Sequence, residues 1–288
     1  MTSTTLNRLL VLAAALLFST GGAAIKATAL NSWQVAGFRS AAAAVVLLAL
    51  VPASRRGWTW RVLPVGAAYA STLILFVLAT KLTTAANAIF LQSTAPLYLI
   101  LLGPLLLKEP VRRTDLVFIG VVGMGMSLFF VSSENAVATA PNPAVGNRVA
   151  ALSGLAWALT VGGLRWLGKR KVTDAGMATV VLGNAVAFAA CLPAALPVRD
   201  ATLRDAAVIA YLGIVQVGLA YVCLTRAIRH VPAFEASTLL LTEPALNPIW
   251  AWLVHAERPS GWALAGGALI LLATLSNTWW HSRSAPGE

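Results

Sequence analysis

Ten runs of apolar residues, each about as long as a bilayer is thick, follow one another along this chain: roughly 9–29, 33–51, 62–81, 85–107, 114–132, 148–167, 175–197, 205–226, 233–254 and 261–280. A helix needs about 20 predominantly apolar residues to cross the hydrocarbon. Within that layer a backbone must satisfy its own hydrogen bonds, as a helix does. The reading is an all-α integral membrane protein with ten transmembrane helices, and nothing is left over for a soluble domain. Charged residues make up 11% of the chain, against about 25% in ordinary soluble domains.

The chain also repeats itself. The stretch from Ala79 to Glu109 reappears 148 positions later, from Ala227 to Glu257, with eight of thirty-one positions identical and no gap. Ala and Leu matches carry little in so apolar a chain. Thr94 with Thr242, Pro96 with Pro244 and Glu109 with Glu257 carry more, supported by Lys81 facing Arg229. Upstream, at an offset of 139, Phe18 falls on Trp157 and Lys26 on Arg165. Self-similarity of this kind indicates a duplicated unit, placed at 1–135 and 148–288 with an outer connection over 136–147. Five spans per unit is an odd number, so the second unit enters the membrane upside down. That gives two inverted five-helix repeats around a central cavity, with a substrate site expected near the midplane.

Basic residues set the orientation. With the N-terminus taken as cytoplasmic, fourteen of the 21 Lys and Arg lie on the inner side: Arg8, Arg55, Arg56, Arg61, Lys108, Arg112, Arg113, Arg165, Lys169, Arg170, Lys171, Arg226, Arg229 and Arg283. Both termini are therefore predicted inside. The net charge of +11 belongs to this topology rather than to nucleic-acid binding, so no nucleic-acid partner is expected. Arg8 followed by LLVLAAALLFSTGGAA resembles a signal peptide. Cleavage would leave the segment at 148–167 without its repeat mate, so a retained first helix is expected.

Soluble catalytic templates fail. No paired carboxylates share a helical turn, and none of His230, His255 and His281 has a metal-ligand partner at helical spacing. Cys191 and Cys223 are too few and too far apart for a metal site. No enzyme, cofactor or metal is expected.

What remains is a set of polar groups inside lipid-length helices, where they are costly and suggest function. Pro96 and Pro104 lie inside the fourth span, Pro244 and Pro248 inside the ninth. Each removes a helical donor, from the carbonyl of Gln92 before Pro96 and of Leu240 before Pro244. Such backbone is tolerable only beside protein or a watery cavity, so these two spans are expected to line the central path. Glu243, near the bilayer centre, should be neutral, paired or facing water; packing, substrate contact and proton carriage are its three readings. Asn87, Thr94 and Tyr98 share a face at i, i+7 and i+11, echoed by Glu235 and Thr242, which fits either a cavity wall or interhelical hydrogen bonds. Gln92, Gln216 and Asn247 carry the same ambiguity. Phe18 and Trp157, with Tyr69 and Tyr221 as additions, read as aromatic walls or as core. Arg39 and Lys81, near outer helix ends, snorkel or attract a carboxylate or phosphate. Gly120, Gly123, Gly125, Gly266 and Gly267 allow close helix approach, by packing or by dimerisation.

Ten spans, an aromatic followed by small residues in the first helix of each half, and Ala79-Thr80-Lys81 and Ala227-Ile228-Arg229 opening the repeated stretch form one pattern. Pro96, Glu243-Pro244, and the closings at Glu109 and Glu257 followed by Gly-rich spans complete it. Together these resemble the drug/metabolite transporter superfamily, its ten-helix EamA-type exporters, and are similar to the bacterial aromatic amino acid exporter branch. The resemblance implies an inverted basket working by alternating access and exporting amino acids from the bacterial inner membrane. It places Phe18 where the family often has Trp, and Ala95 where a Glu often precedes the proline. The expected partners are a small-molecule substrate, amino acids, and the lipid bilayer, with a monomer as one assembly. Cationic drugs or another metabolite are the alternative cargo.

Overall fold

The computed structural model describes residues 3–106, 113–131, 136–170, 174–227 and 230–284. Lys108, Glu109, Arg112, Lys171 and Arg229 lie outside the described residues. Helices α1 (Ser3–Ser19) and α2 (Gly21–Lys26) make the first crossing, α3 (Ser32–Leu50) the second and α4 (Val62–Leu82) the third. Helices α5 (Ala85–Gln92) and α6 (Ala95–Leu106) share the fourth, and α7 (Arg113–Val131) is the fifth. The sixth and seventh are α8 (Pro143–Lys169) and α9 (Ala175–Ala195). In the eighth, α10 (Leu203–Ala210) runs through a π-helical stretch (Tyr211–Leu219) into α11 (Ala220–Ala227). Helices α12 (Ala233–Leu240) and α13 (Thr242–His255) share the ninth, and α14 (Gly261–Ser284) is the tenth.

Eight of these units are long and apolar enough to span a membrane, and Asp115–Val131 is a shorter apolar helix. The ninth crossing is divided at Leu241, as the fourth is at Ser93 and Thr94. Helix α8 starts at Pro143, five residues before the expected 148, because Asn142 caps the Val145 amide at 3.3 Å and proline occupies the first turn.

The breaks in the fourth and ninth crossings fall where proline removes a donor. At the first break, Thr94 Oγ1 donates to the Leu91 carbonyl at 2.6 Å, supplying one bond the helix has lost. That carbonyl and the one of Gln92 lie against α8 at Gly154, where an added Cβ would stand 2.9 Å from the Leu91 oxygen and 3.3 Å from that of Gln92. Any larger residue would lift α8 off the break.

Helix pairing follows the order an in-plane two-fold axis produces. Helices α3 and α9 are antiparallel neighbours: Gln34, at the start of α3, donates to the Ala195 carbonyl at the end of α9, at 3.0 Å. Helices α7 and α14 meet at Gly125 and Gly266, where an added Cβ on Gly125 would stand 3.0 Å from the Gly266 oxygen. Gly120 and Gly123 face open space, so they contribute no approach within the chain. The α4–α8 contact is matched by α1–α11, and the α4–α9 contact by that of the π-helical stretch with α3.

The two faces of the bundle are built differently. On the near face, where α1 begins, Trp58 and Trp60 are exposed and the Arg61 guanidinium lies 5.7 Å from the Trp60 ring centre, as expected at headgroup level. On the far face the helix ends are tied together. Lys26 pairs with Glu257 at 3.0 Å, both side chains only 3% exposed, and also donates to the carbonyls of Thr83, at 2.8 Å, and Thr139. Glu257 accepts from the Ala85 amide at 2.5 Å, capping α5. Asp205 accepts from the hydroxyls of Thr28 and Thr202, each at 2.6 Å, and from the Ala29 amide at 2.8 Å. Asn147 accepts from Thr83 at 2.7 Å and donates to the Phe129 carbonyl at 2.9 Å.

Removing one partner of a buried ion pair strands the other and costs about 3–5 kcal/mol. Lys26→Met and Glu257→Gln should therefore each lower the melting temperature of the detergent-purified protein, and the double variant should melt above either single one.

Candidate functional site

A cavity of about 530 Å³ lies where the two broken crossings meet α1, α4, α8 and the eighth crossing. Its walls carry Gln92, Ser93, Ala95 and Pro96 from the first break, and Leu240, Leu241, Glu243 and Pro244 from the second. The proline-weakened backbone thus faces the hollow rather than lipid, as the cost of unpaired peptide groups requires. Leu164, Thr179 and Leu224 extend the cavity to within a few residues of the near-face helix ends. Toward the far face the lining carries Phe18, Phe76, Gln216 and Ile89, which lies four residues from the start of α5.

Four aromatic rings form a continuous chain through this space. Phe18 meets Tyr221 edge-on with ring centres 5.3 Å apart, Tyr221 meets Tyr69 at 6.2 Å, and Tyr69 meets Trp157 at 6.4 Å. The Tyr69 hydroxyl donates to that of Tyr221 at 2.9 Å, joining α4 to α11. Edge-to-face arrangements hold such rings in place and leave faces for a flat solute. Polar groups flank the chain. Gln92 donates to Ser153 Oγ at 2.7 Å, Gln216 to the Phe18 carbonyl at 3.2 Å, and the Thr72 and Thr160 hydroxyls are 3.4 Å apart. The Glu243 carboxyl has no hydrogen-bond or ion-pair partner among the described residues and lies within electrostatic range of Tyr69 and Tyr221.

Of the residues singled out in the sequence, Phe18, Gln92, Trp157, Gln216, Tyr221 and Glu243 converge on this cavity, while Asn87, Thr94, Tyr98, Thr242 and Asn247 stand outside its lining. Asn87 is fully buried and donates to Thr83 Oγ1 at 3.3 Å and to Asn147 Oδ1 at 3.1 Å, within the far-face network. Thr94 serves the break, and Asn247 is buried against Gly22, where an added Cβ would meet its Oδ1 at 2.4 Å. Glu235, read as part of the same stripe, pairs instead with Arg8 at 2.5 Å at the partly exposed near-face rim. Arg39 and Lys81 do not snorkel. Arg39 is 3% exposed and lines the cavity; Lys81 donates to the Thr28 carbonyl at 2.6 Å. Thr72 and Thr160 went unnoticed in the sequence, although each follows a cavity aromatic, Tyr69 and Trp157, at i+3 and therefore shares its face.

Comparison with known proteins agrees with this architecture. A family profile described as "EamA-like transporter family" matches residues 6–131 and 145–279. The chain is 28% identical over 281 residues to the "Pseudopaline exporter CntI" of two Pseudomonas aeruginosa strains, UCBPP-PA14 and PAO1, covering 93% of this chain and 94% of the relative. A chain of known crystal structure superposes with a TM-score of 0.61 at 20% identity, over 99% of this chain and all of the other, and so shares the fold.

The tyrosine pair gives a direct check on the aromatic chain. Replacing Tyr221 by Phe strips the buried Tyr69 hydroxyl of its acceptor at a cost of about 1–3 kcal/mol, so Y221F should melt lower than wild type while keeping its helical circular dichroism.

Proposed function

This chain belongs to the EamA-like transporter family, and on that premise we propose that it is a secondary transporter exporting amino acids, aromatic and other neutral ones, across a bacterial inner membrane by alternating access. The observation that carries the reading is the chain of four aromatic rings at the junction of the two broken crossings. It offers apolar faces, with polar side chains and loosened backbone beside them, at the depth where transporters of this construction hold their cargo. The relative's name supports export as the direction. The near-face bias of Lys and Arg supports a cytoplasmic near face, with both termini inside. With the cavity reaching toward that face and the far face bonded shut, the arrangement corresponds to the inward-facing stage. The two profile segments, 6–131 and 145–279, support units over 1–135 and 148–288 joined by 136–147.

One observation favours a second cargo class. Glu243 faces the cavity without a partner, and a carboxyl beside aromatic faces also suits an organic cation. Liposomes carrying the purified protein separate the two readings. Saturable movement of radiolabelled phenylalanine, competed by tyrosine and leucine, is expected; movement of a quaternary ammonium dye with no amino acid movement would replace the amino acid reading by the cationic one.

Glu243 is also the group best placed to carry a proton during the cycle. Glu243→Gln should then abolish the response of transport to an imposed pH gradient, and a response equal to wild type would remove Glu243 from coupling.

A further inference from the structure

The cavity contains a positive charge that the protein leaves without an anion. Arg39 is the eighth residue of α3, 3% exposed, and lines the cavity. Its guanidinium makes one hydrogen bond, from Nη2 to the Leu73 carbonyl at 3.2 Å, while the buried Nε has no partner. Among the described residues no carboxylate forms an ion pair with it. An arginine cannot shed its proton to escape a low dielectric, and an unpaired buried charge is costly. Five donors in a rigid fork, with one in use, describe a receptor for a planar anion.

Helix α3 is closely packed on both sides around Arg39. Gly213, in the π-helical stretch, lies against the Arg39 backbone, where an added Cβ would stand 2.6 Å from its carbonyl oxygen. Two residues earlier on α3, an added Cβ on Gly37 would stand 3.0 Å from Cys191 of α9. Interruptions of the helical ladder of this kind often accompany functional sites. Tyr69 and Cys191 are the ionisable neighbours of the guanidinium, and neither supplies a carboxylate.

We infer that Arg39 anchors a carboxylate of the transported solute, supplying in the loaded state the pairing that the empty protein lacks. The inference rests on the amino acid reading above only in its choice of probes. Glu243, on α13, is a second ionisable group of the cavity that forms no ion pair among the described residues, and the aromatic chain lies in the same space. The cavity therefore matches a solute with a carboxylate and an ammonium on an apolar body.

The test uses full-length protein in liposomes and three probes of one shape: phenylalanine, 3-phenylpropionate and phenethylamine. A charge-assisted hydrogen-bond pair is worth roughly 10- to 100-fold in affinity. Arg39→Gln should raise the KM for the two carboxylates by about that factor and leave phenethylamine unchanged; Arg39→Lys, which keeps the charge and loses the fork, should fall between. Should Arg39→Gln not fold by melting and size exclusion, Arg39→Lys alone decides, through a raised KM for carboxylates with the maximal rate retained. Carboxylate KM values equal to wild type, or rates lost alike for all three probes in a folded variant, overturn the inference. So does a wild-type protein that neither moves a carboxylate probe nor is thermally stabilised by one. Movement of 3-phenylpropionate but not phenylalanine, lost in Arg39→Gln, would sink the amino acid reading and leave Arg39 as the anchor.

Discussion

A peptide carbonyl deprived of its helical donor cannot sit in hydrocarbon, and the placement of almost every element here answers to that prohibition. Pro96 and Pro244 each remove a donor near mid-membrane, so the fourth and ninth crossings must turn their damaged sides inward. Once both face the same interior, that interior cannot be filled by ordinary apolar packing, because the freed backbone needs polar company. The hollow between the halves thus follows from two prolines at corresponding positions of a duplicated chain. Gly154 shows the same need locally: α8 presents bare backbone to the break, and the Leu91 and Gln92 carbonyls lie against it.

Charges within the bundle are handled in two ways. At the far face they are consumed: Lys26, Glu257 and Asp205, with the neutral Asn147 beside them, act as helix caps and cross-ties, and their partners come from distant parts of the chain. In the cavity they are left unspent, with Arg39 and Glu243 facing open space. The first pattern belongs to a structure that must hold a seam closed, and the second to one prepared to meet something from outside.

The helical class and the spans were legible because apolar length is a direct consequence of bilayer thickness, and the breaks because proline chemistry is local. The aromatic chain was legible in part: the repeat placed Phe18 opposite Trp157, while the tyrosine hydrogen bond that joins them depends on a contact between α4 and α11 that no spacing encodes. The Asn87, Thr94 and Tyr98 stripe left two readings open, a cavity wall or interhelical hydrogen bonds, for a related reason. Helical spacing says which residues share a face, and says nothing of which neighbour covers that face. Asn147 and the α8 backbone cover this one. Arg39 was judged by its distance from a helix end, whereas its burial is set by the approach of α9 and the π-helical stretch, a register feature hidden in two glycines. Repeat symmetry left Glu235 as either cavity wall or interhelical partner, and Arg8 of α1 pairs with it.

The two rims are sealed with unequal force. The near rim has Arg8–Glu235, half exposed on the arginine side and screened by solvent, while the far rim has Lys26–Glu257, shielded on all sides and reinforced by backbone carbonyls. Parting the far rim means separating two charges that water does not reach, whereas the near-rim pair is already half in water, so the same kind of bond makes a dry seam at one end of the bundle and a wet one at the other.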